Sequence, residues 1–143
     1  MIAIGCDHGG YELKLEIIKY LEKNGLGYTD FGCNGESVDY PIYARKVGQA
    51  ILDGACEKGI LICGTGIGIS MTANKVAGIR CALCSDTLSA KMTRLHNDAN
   101  VLAMGAGIVG NNLALDIVET FLTTEFSGDA RHQRRIDLIE GEH

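Results

Sequence analysis

The chain has 143 residues, 46% hydrophobic and 22% charged, with a net charge of −5; it reads as one globular domain able to bury a core without staples. No apolar stretch approaches the ~20 residues of a membrane span, and the start MIAIGCDHGG lacks the features of a secretory signal, so a cytoplasmic location is expected. The acidic balance argues against nucleic acid as a general partner, with one basic exception in RHQRR, 131–135.

In chain order, a first strand is predicted over IAIGC (2–6), leading into Asp7 and His8. Leu13, Ile17, Tyr20 and Leu21 then recur at three and four, a helix period. GYTDF (27–31) reads as a second strand. Pro41 suits a helix's first turn, Asp39 is a plausible cap before it, and Val47, Ala50 and Ile51 continue the period. GILIC (59–63) is the third strand and runs into GTGIGIS. CALC (81–84) is the fourth, followed by Asp86, and VLAM (101–104) is the fifth, with His96 expected between a helix and this strand. Leu113, Ile117, Val118 and Phe121 mark another helix, and a last one is expected over about 130–139.

Strands alternating with helices imply βαβ units in a mostly parallel sheet, hence a single α/β domain over 1–143. In such sheets ligands bind beyond the carboxyl ends of the strands. The polar and glycine-rich residues fall there: Asp7 and His8, Gly64 to Ser70, Asp86, and Gly105 to Gly110.

Among these, Gly64, Gly66 and Gly68 form a ladder that lets backbone approach a ligand, and amides entering a helix attract anions. Neither common nucleotide loop matches it, because the lysine of one and the third glycine of the other are missing. Cys63 at its mouth has two readings. As a buried core residue it would be inert, whereas beside convergent amides its thiolate is favoured and can act as base or nucleophile. GAGIVG (105–110) does match G-x-G-x-x-G, yet no further strand with an acid follows, so it is read as a decoy.

His8 and His96 join Asp7 and Cys63 as titratable groups suited to acid–base chemistry, while His132 and His143 carry less weight. Arg131 and Arg135 share one helix face and suit a phosphate monoester, against the plainer reading of a solvated charged face. Cys81 and Cys84 form a C-x-x-C, but on a strand they point to opposite faces and read as structural.

GCDHGG, VDYP, ICGTGIGIS, ANKVAGIRCAL, RLHNDANVLAMG and RHQRRI, in this order, closely resemble the type B ribose-5-phosphate isomerase family. The resemblance runs from residue 2 to about 136. It implies a three-layer α/β/α Rossmann-like fold with a five-stranded parallel sheet. It implies an aldose–ketose isomerase for ribose 5-phosphate and ribulose 5-phosphate that needs no metal or cofactor. It also implies a homodimer or tetramer whose active sites lie between subunits.

By the same resemblance Cys63 matches the base that moves a proton between C2 and C1. The stretch Gly64, Thr65, Gly66, Ile67, Gly68 to Ser70 matches the loop whose amides stabilise the enediolate. Thr65 would help relay the proton between O1 and O2. His96 matches the ring-opening acid. Asp7 and His8 match contacts to the sugar hydroxyls and the phosphate end, Tyr40 a further pocket position and Asn97 a hydroxyl contact. Arg131 and Arg135 match the phosphate clamp. One departure stands out: Gly107 occupies a position where the family commonly has a phosphate-binding arginine. A weaker dependence on phosphate, with side activity on allose or psicose, is therefore expected. Alternatives are an isomerase of six-carbon sugar phosphates (allose 6-phosphate or galactose 6-phosphate), or a non-catalytic sugar-phosphate sensor.

Overall fold

A computed structural model describes residues 1–141; Glu142 and His143 lie outside the described residues. Five parallel strands are present: β1 (Ile2–Cys6), β2 (Tyr28–Asp30), β3 (Lys58–Cys63), β4 (Cys81–Leu83) and β5 (Val101–Gly105). They form one sheet in the order β2-β1-β3-β5-β4. The helices are α1 (Tyr11–Lys23), α2 (Tyr40–Leu52), α3 (Ile67–Ala73), α4 (Thr87–Asn97), α5 (Asn111–Thr123) and α6 (Ala130–Ile139), with a 3-10 turn at His8–Gly10.

The expected three layers are present, and alternation along the strands sorts the core between them. Ile4, Ile60, Ile62, Leu102 and Met104 pack on one face against α1, α4 and α5 through Leu13, Ile17, Ala90, Ala114 and Phe121. Ala3, Leu61, Cys63, Val101 and Ala103 face the other way, against Val47 of α2 and Ile69 of α3. The central strands are buried on both faces, which is why they read as continuous apolar runs. The edge strands β2 and β4 are only three residues long, and short edges offer little to a stray strand.

Pro41 sits in the first turn of α2 as its fixed φ allows, but Asp39 departs from expectation. It occupies the N-cap position with no side-chain bond to the helix. Lys14 is 1% exposed, and its ammonium reaches both Asp30 carboxylate oxygens at 2.9 Å and the Cys33 carbonyl. This buried ion pair ties α1 to the exit of β2, next to the segment that approaches the first strand's end.

Candidate active site

The chain leaves β1 for β2 on one side and reaches β3 on the other, so a crevice opens between the carboxyl ends of β1 and β3. Asp7 follows β1, is 8% exposed, and caps the 3-10 turn by accepting from the Gly10 amide at 3.2 Å. His8 is exposed, and its Nδ1 accepts from the Val38 amide at 3.3 Å. The ring hydrogen of a neutral His8 then sits on Nε2, a donor available to an oxygen of a ligand. The turn lies against the ladder: a Cβ on Gly9 would stand 3.2 Å from the Gly64 amide nitrogen.

Cys63 ends β3 with 4% exposure, and its sulfur accepts from the Gly66 amide at 3.1 Å. That amide gives negative charge on sulfur a partner. Gly66 adopts φ +78°, and a side chain there would also strike Leu83 and the Met104 backbone, so glycine is required twice over. The amide of Ile67 donates to Thr65 Oγ1 at 3.2 Å, and α3 begins there. First-turn amides of a helix have no carbonyl four residues back within it, so they can serve a developing oxyanion. Both hydrogen-bonding groups of Ser70 are engaged locally, its amide with Gly66 at 3.1 Å and its hydroxyl with Ile67 at 2.8 Å. The Tyr40 phenol lies over Gly68, where a Cβ would meet the ring itself.

The glycines of GAGIVG hold this loop in place. A Cβ on Gly105 would stand 2.5 Å from the carbonyl of Thr65, and the Gly107 amide donates to the Gly64 carbonyl at 2.9 Å. Close backbone packing thus accounts for Gly105 and Gly107, while Gly110 has open space around it.

His96 lies elsewhere. It belongs to the last turn of α4, and not to a loop as the sequence pattern suggested. Cys63 pairs with Gly105 at the carboxyl end of β5, whereas α4 feeds the amino end at Val101. Four residue steps along a strand, about 13 Å at ~3.3 Å each, separate the two ends. Asn97, Arg131 and Arg135 share the His96 end. His132 of α6 stacks on His96 with ring centroids 4.1 Å apart and planes at 18°. Within one chain the fold forms two half-sites: Asp7, His8, Tyr40 and the Cys63 loop at one end of the sheet, His96, Asn97 and the arginines at the other.

The second half-site is braced by residues that sequence reasoning passed over. Arg80 donates to the Asn97 carbonyl at 3.0 Å, the Asp98 carbonyl at 2.8 Å and Glu140 at 2.8 Å. Arg94, buried, donates to Asp98 Oδ1 and the Ala99 carbonyl, each at 2.7 Å. Asp98 ends α4 at φ 44°, a left-handed conformation uncommon outside glycine. Asp98 itself, two places after His96, was the available signal. His132, given less weight from sequence, is the residue in contact with His96.

All six cysteines are free. Cys84 packs in the cluster on one face of the sheet and Cys81 against the other. Burial pushes the Cys81 thiol up to about 12 and the Cys84 thiol up to about 11. The pair is structural.

This fold, with a thiol and a glycine ladder at its switch point, is that of a sugar isomerase domain. The chain matches the ribose/galactose isomerase family over residues 2–139 and belongs to it; it is an aldose–ketose isomerase. Ribose-5-phosphate isomerase B of Escherichia coli is 49% identical over 139 residues, spanning 96% of this chain and 93% of its own. D-erythrulose-4-phosphate isomerase of Pectobacterium atrosepticum is 46% identical over 129 residues, spanning 89% and 85%. The structure of Clostridium thermocellum ribose-5-phosphate isomerase B superposes with a TM-score of 0.95 at 54% identity, covering 98% of this chain and 95% of that one. No helix among the described residues is long and apolar enough to cross a membrane.

Proposed function

We propose that this chain interconverts ribose 5-phosphate and ribulose 5-phosphate through a cis-enediolate, with Cys63 as the base. The observation that carries the reading is the Gly66 amide held 3.1 Å from the Cys63 sulfur at the β1/β3 crevice. Cys63 takes the proton from C2 and returns it to C1. The loop from Gly64 through Ile67 and Gly68 surrounds the enediolate oxygens, and Thr65 passes the hydroxyl proton between O1 and O2. His8, through Nε2, meets the phosphate end of the sugar. Tyr40 closes the pocket over Gly68.

A second copy completes the site, because the two half-sites of one chain lie at opposite ends of the sheet. His96 of that copy gives the furanose oxygen its proton while Asp7 draws the proton from the C1 hydroxyl. Asn97 contacts a hydroxyl, and Arg131 and Arg135 hold the phosphate with charged forks. In the test, ribose 5-phosphate is offered to the protein and to its Cys63→Ala variant. Removing the base is expected to cost roughly 10²–10⁴ in turnover. Equal turnover in both would reject Cys63 as base. Turnover of a six-carbon sugar phosphate in place of ribose 5-phosphate would reject the pentose, and ligand binding unaccompanied by turnover would turn the reading into a sensor.

A second substrate class follows from Gly107. Its amide already serves the loop, donating to Gly64, and it offers no cation at a turn that borders the site. Phosphate recognition then rests on fewer charges, each charged hydrogen bond being worth about 1.5–3 kcal/mol. Unphosphorylated allose and psicose are expected to turn over measurably, and Gly107→Arg is expected to widen the gap in kcat/KM between phosphorylated and unphosphorylated sugars. An unchanged gap would count against the idea.

A further inference from the structure

The His96 half-site contains a second imidazole that the reaction above does not use. His132, 8% exposed, stacks on His96 from the neighbouring helix. Arg131 Nη2 lies 3.4 Å from His132 Nε2. A guanidinium carries donors only, so in this contact Nε2 accepts and the ring hydrogen resides on Nδ1. His132 is therefore neutral here.

We propose that His132 is a positioning residue for ring opening: its ring, stacked on His96, holds the plane of that imidazole. The inference rests on the reading of His96 as the ring-opening acid. From α6 and its cap, Arg131 and Arg135 disfavour a charged His132 and Asp129 favours it; from α4 the facing group is His96. Burial comes first among the causes that lower the His132 pKa, followed by His96 and Arg131.

The backbone beneath His96 is fixed separately, by Arg80 and Arg94 on residues 97 to 99. What that brace leaves free is the rotation of the ring. Ring opening needs it aimed: the C1–O4 bond breaks, its electrons pass to O4, and O4 takes the proton from His96. The C1 hydroxyl loses its proton to Asp7 as the C1=O1 double bond forms. A misplaced donor fails in this step alone, since enolisation at Cys63 does not involve His96.

The experiment compares net conversion of ribose 5-phosphate with exchange of the C1 hydrogen of ribulose 5-phosphate into deuterated water. Ribose 5-phosphate enters mostly as a closed furanose, whereas ribulose 5-phosphate is open because its C5 oxygen is esterified, so the exchange needs enolisation but no ring opening. His132→Ala is expected to lower kcat/KM for net conversion by about tenfold or more and the exchange rate by less than about twofold, as misorientation of one group predicts. His132→Phe keeps a flat ring on the stack and is expected to recover part of the loss. His96→Gln, run alongside, should show the same contrast in stronger form. If His96→Gln loses conversion alone and both His132 variants slow conversion and exchange equally, or neither, the positioning role is overturned. If His96→Gln slows conversion and exchange equally, the ring-opening reading falls and this inference with it. Thermal melts of all three variants identify any loss of folding, and His132→Phe carries the comparison if His132→Ala fails to fold.

Discussion

Cys63 and Cys6 are both buried at the carboxyl ends of adjacent strands, yet their surroundings give them different chemistry. Cys6 faces the Cys33 sulfur at 3.9 Å, and burial together with that neighbour pushes its thiol up to about 12. Cys63 instead has a backbone amide at its sulfur and opens onto a crevice. Lys14 and a backbone bond from Cys33 draw the Cys6 pKa the other way, but burial outweighs them. The histidines follow the same logic. Burial, reinforced by His96 and Arg131, holds the His132 pKa below its ordinary 6.5. The unfolded chain therefore takes up that proton more readily than the folded one. The stability contributed by neutral His132 is present above about pH 6.5 and is lost as pH falls through its lowered folded value. His132→Phe is expected to flatten this acid loss. Urea midpoints of the two proteins should converge as pH drops from about 7.5 to about 5.

At the scale of elements, α4 shows how a helix end carrying His96 is made rigid. Asp86 starts it, accepting from the Ser89 amide at 2.6 Å, and these local bonds hold its carboxyl below the usual carboxylate range. The other end stops abruptly at left-handed Asp98, and Arg80 bonds the last carbonyls while gripping Glu140 at the end of α6. One guanidinium thereby joins the start of β4, the end of α4 and the end of α6. Arg80→Met keeps the packing stem and removes the fork. It is expected to destabilise the fold by about 1–3 kcal/mol, since carbonyls lose charged partners. Denaturant midpoints would show it, and the same variant should lower ribose 5-phosphate turnover through His96 and Asn97. Full turnover with an unchanged midpoint would mean that α4 ends rigidly without the clamp.

For the molecule as a whole, the topology poses the main functional question. A parallel sheet aligns every strand exit at one end, so Asp7, His8 and the Cys63 loop gather there. The end of α4 with His96 and Asn97 lies at the other, and the start of α6 joins it there through the His96–His132 stack, bringing Arg131 and Arg135. A two-fold pair of chains brings unlike ends together twice. Mixing the inactive Cys63→Ala and His96→Gln variants under conditions that exchange subunits therefore has a definite expected outcome. Each mixed dimer carries one doubly damaged site and one intact site. With random exchange, about a quarter of normal ribose 5-phosphate turnover should return. No recovery, with exchange verified by mass, would place Cys63 and His96 of the same chain in one site.

The sequence by itself determined the alternation of strand and helix and the chemistry placed at each strand exit. Both are local properties: periods of two and 3.6, and residue types that follow an apolar run. Cys63, Asp7 and His8 were legible for that reason, as was the last helix at 130–139. The tertiary structure decided what depends on distant partners. Inserting β5 between β3 and β4 set GAGIVG against the Cys63 loop, so a motif that looked like a nucleotide loop became packing. The stack of His132 on His96 and the grip of Arg80 on the ends of α4 and α6 join residues far apart in the chain, Arg80 and Glu140 being 60 positions apart. No local period announces such contacts. They exist because the folded chain must satisfy buried charge and backbone carbonyls with whatever donors the topology brings near.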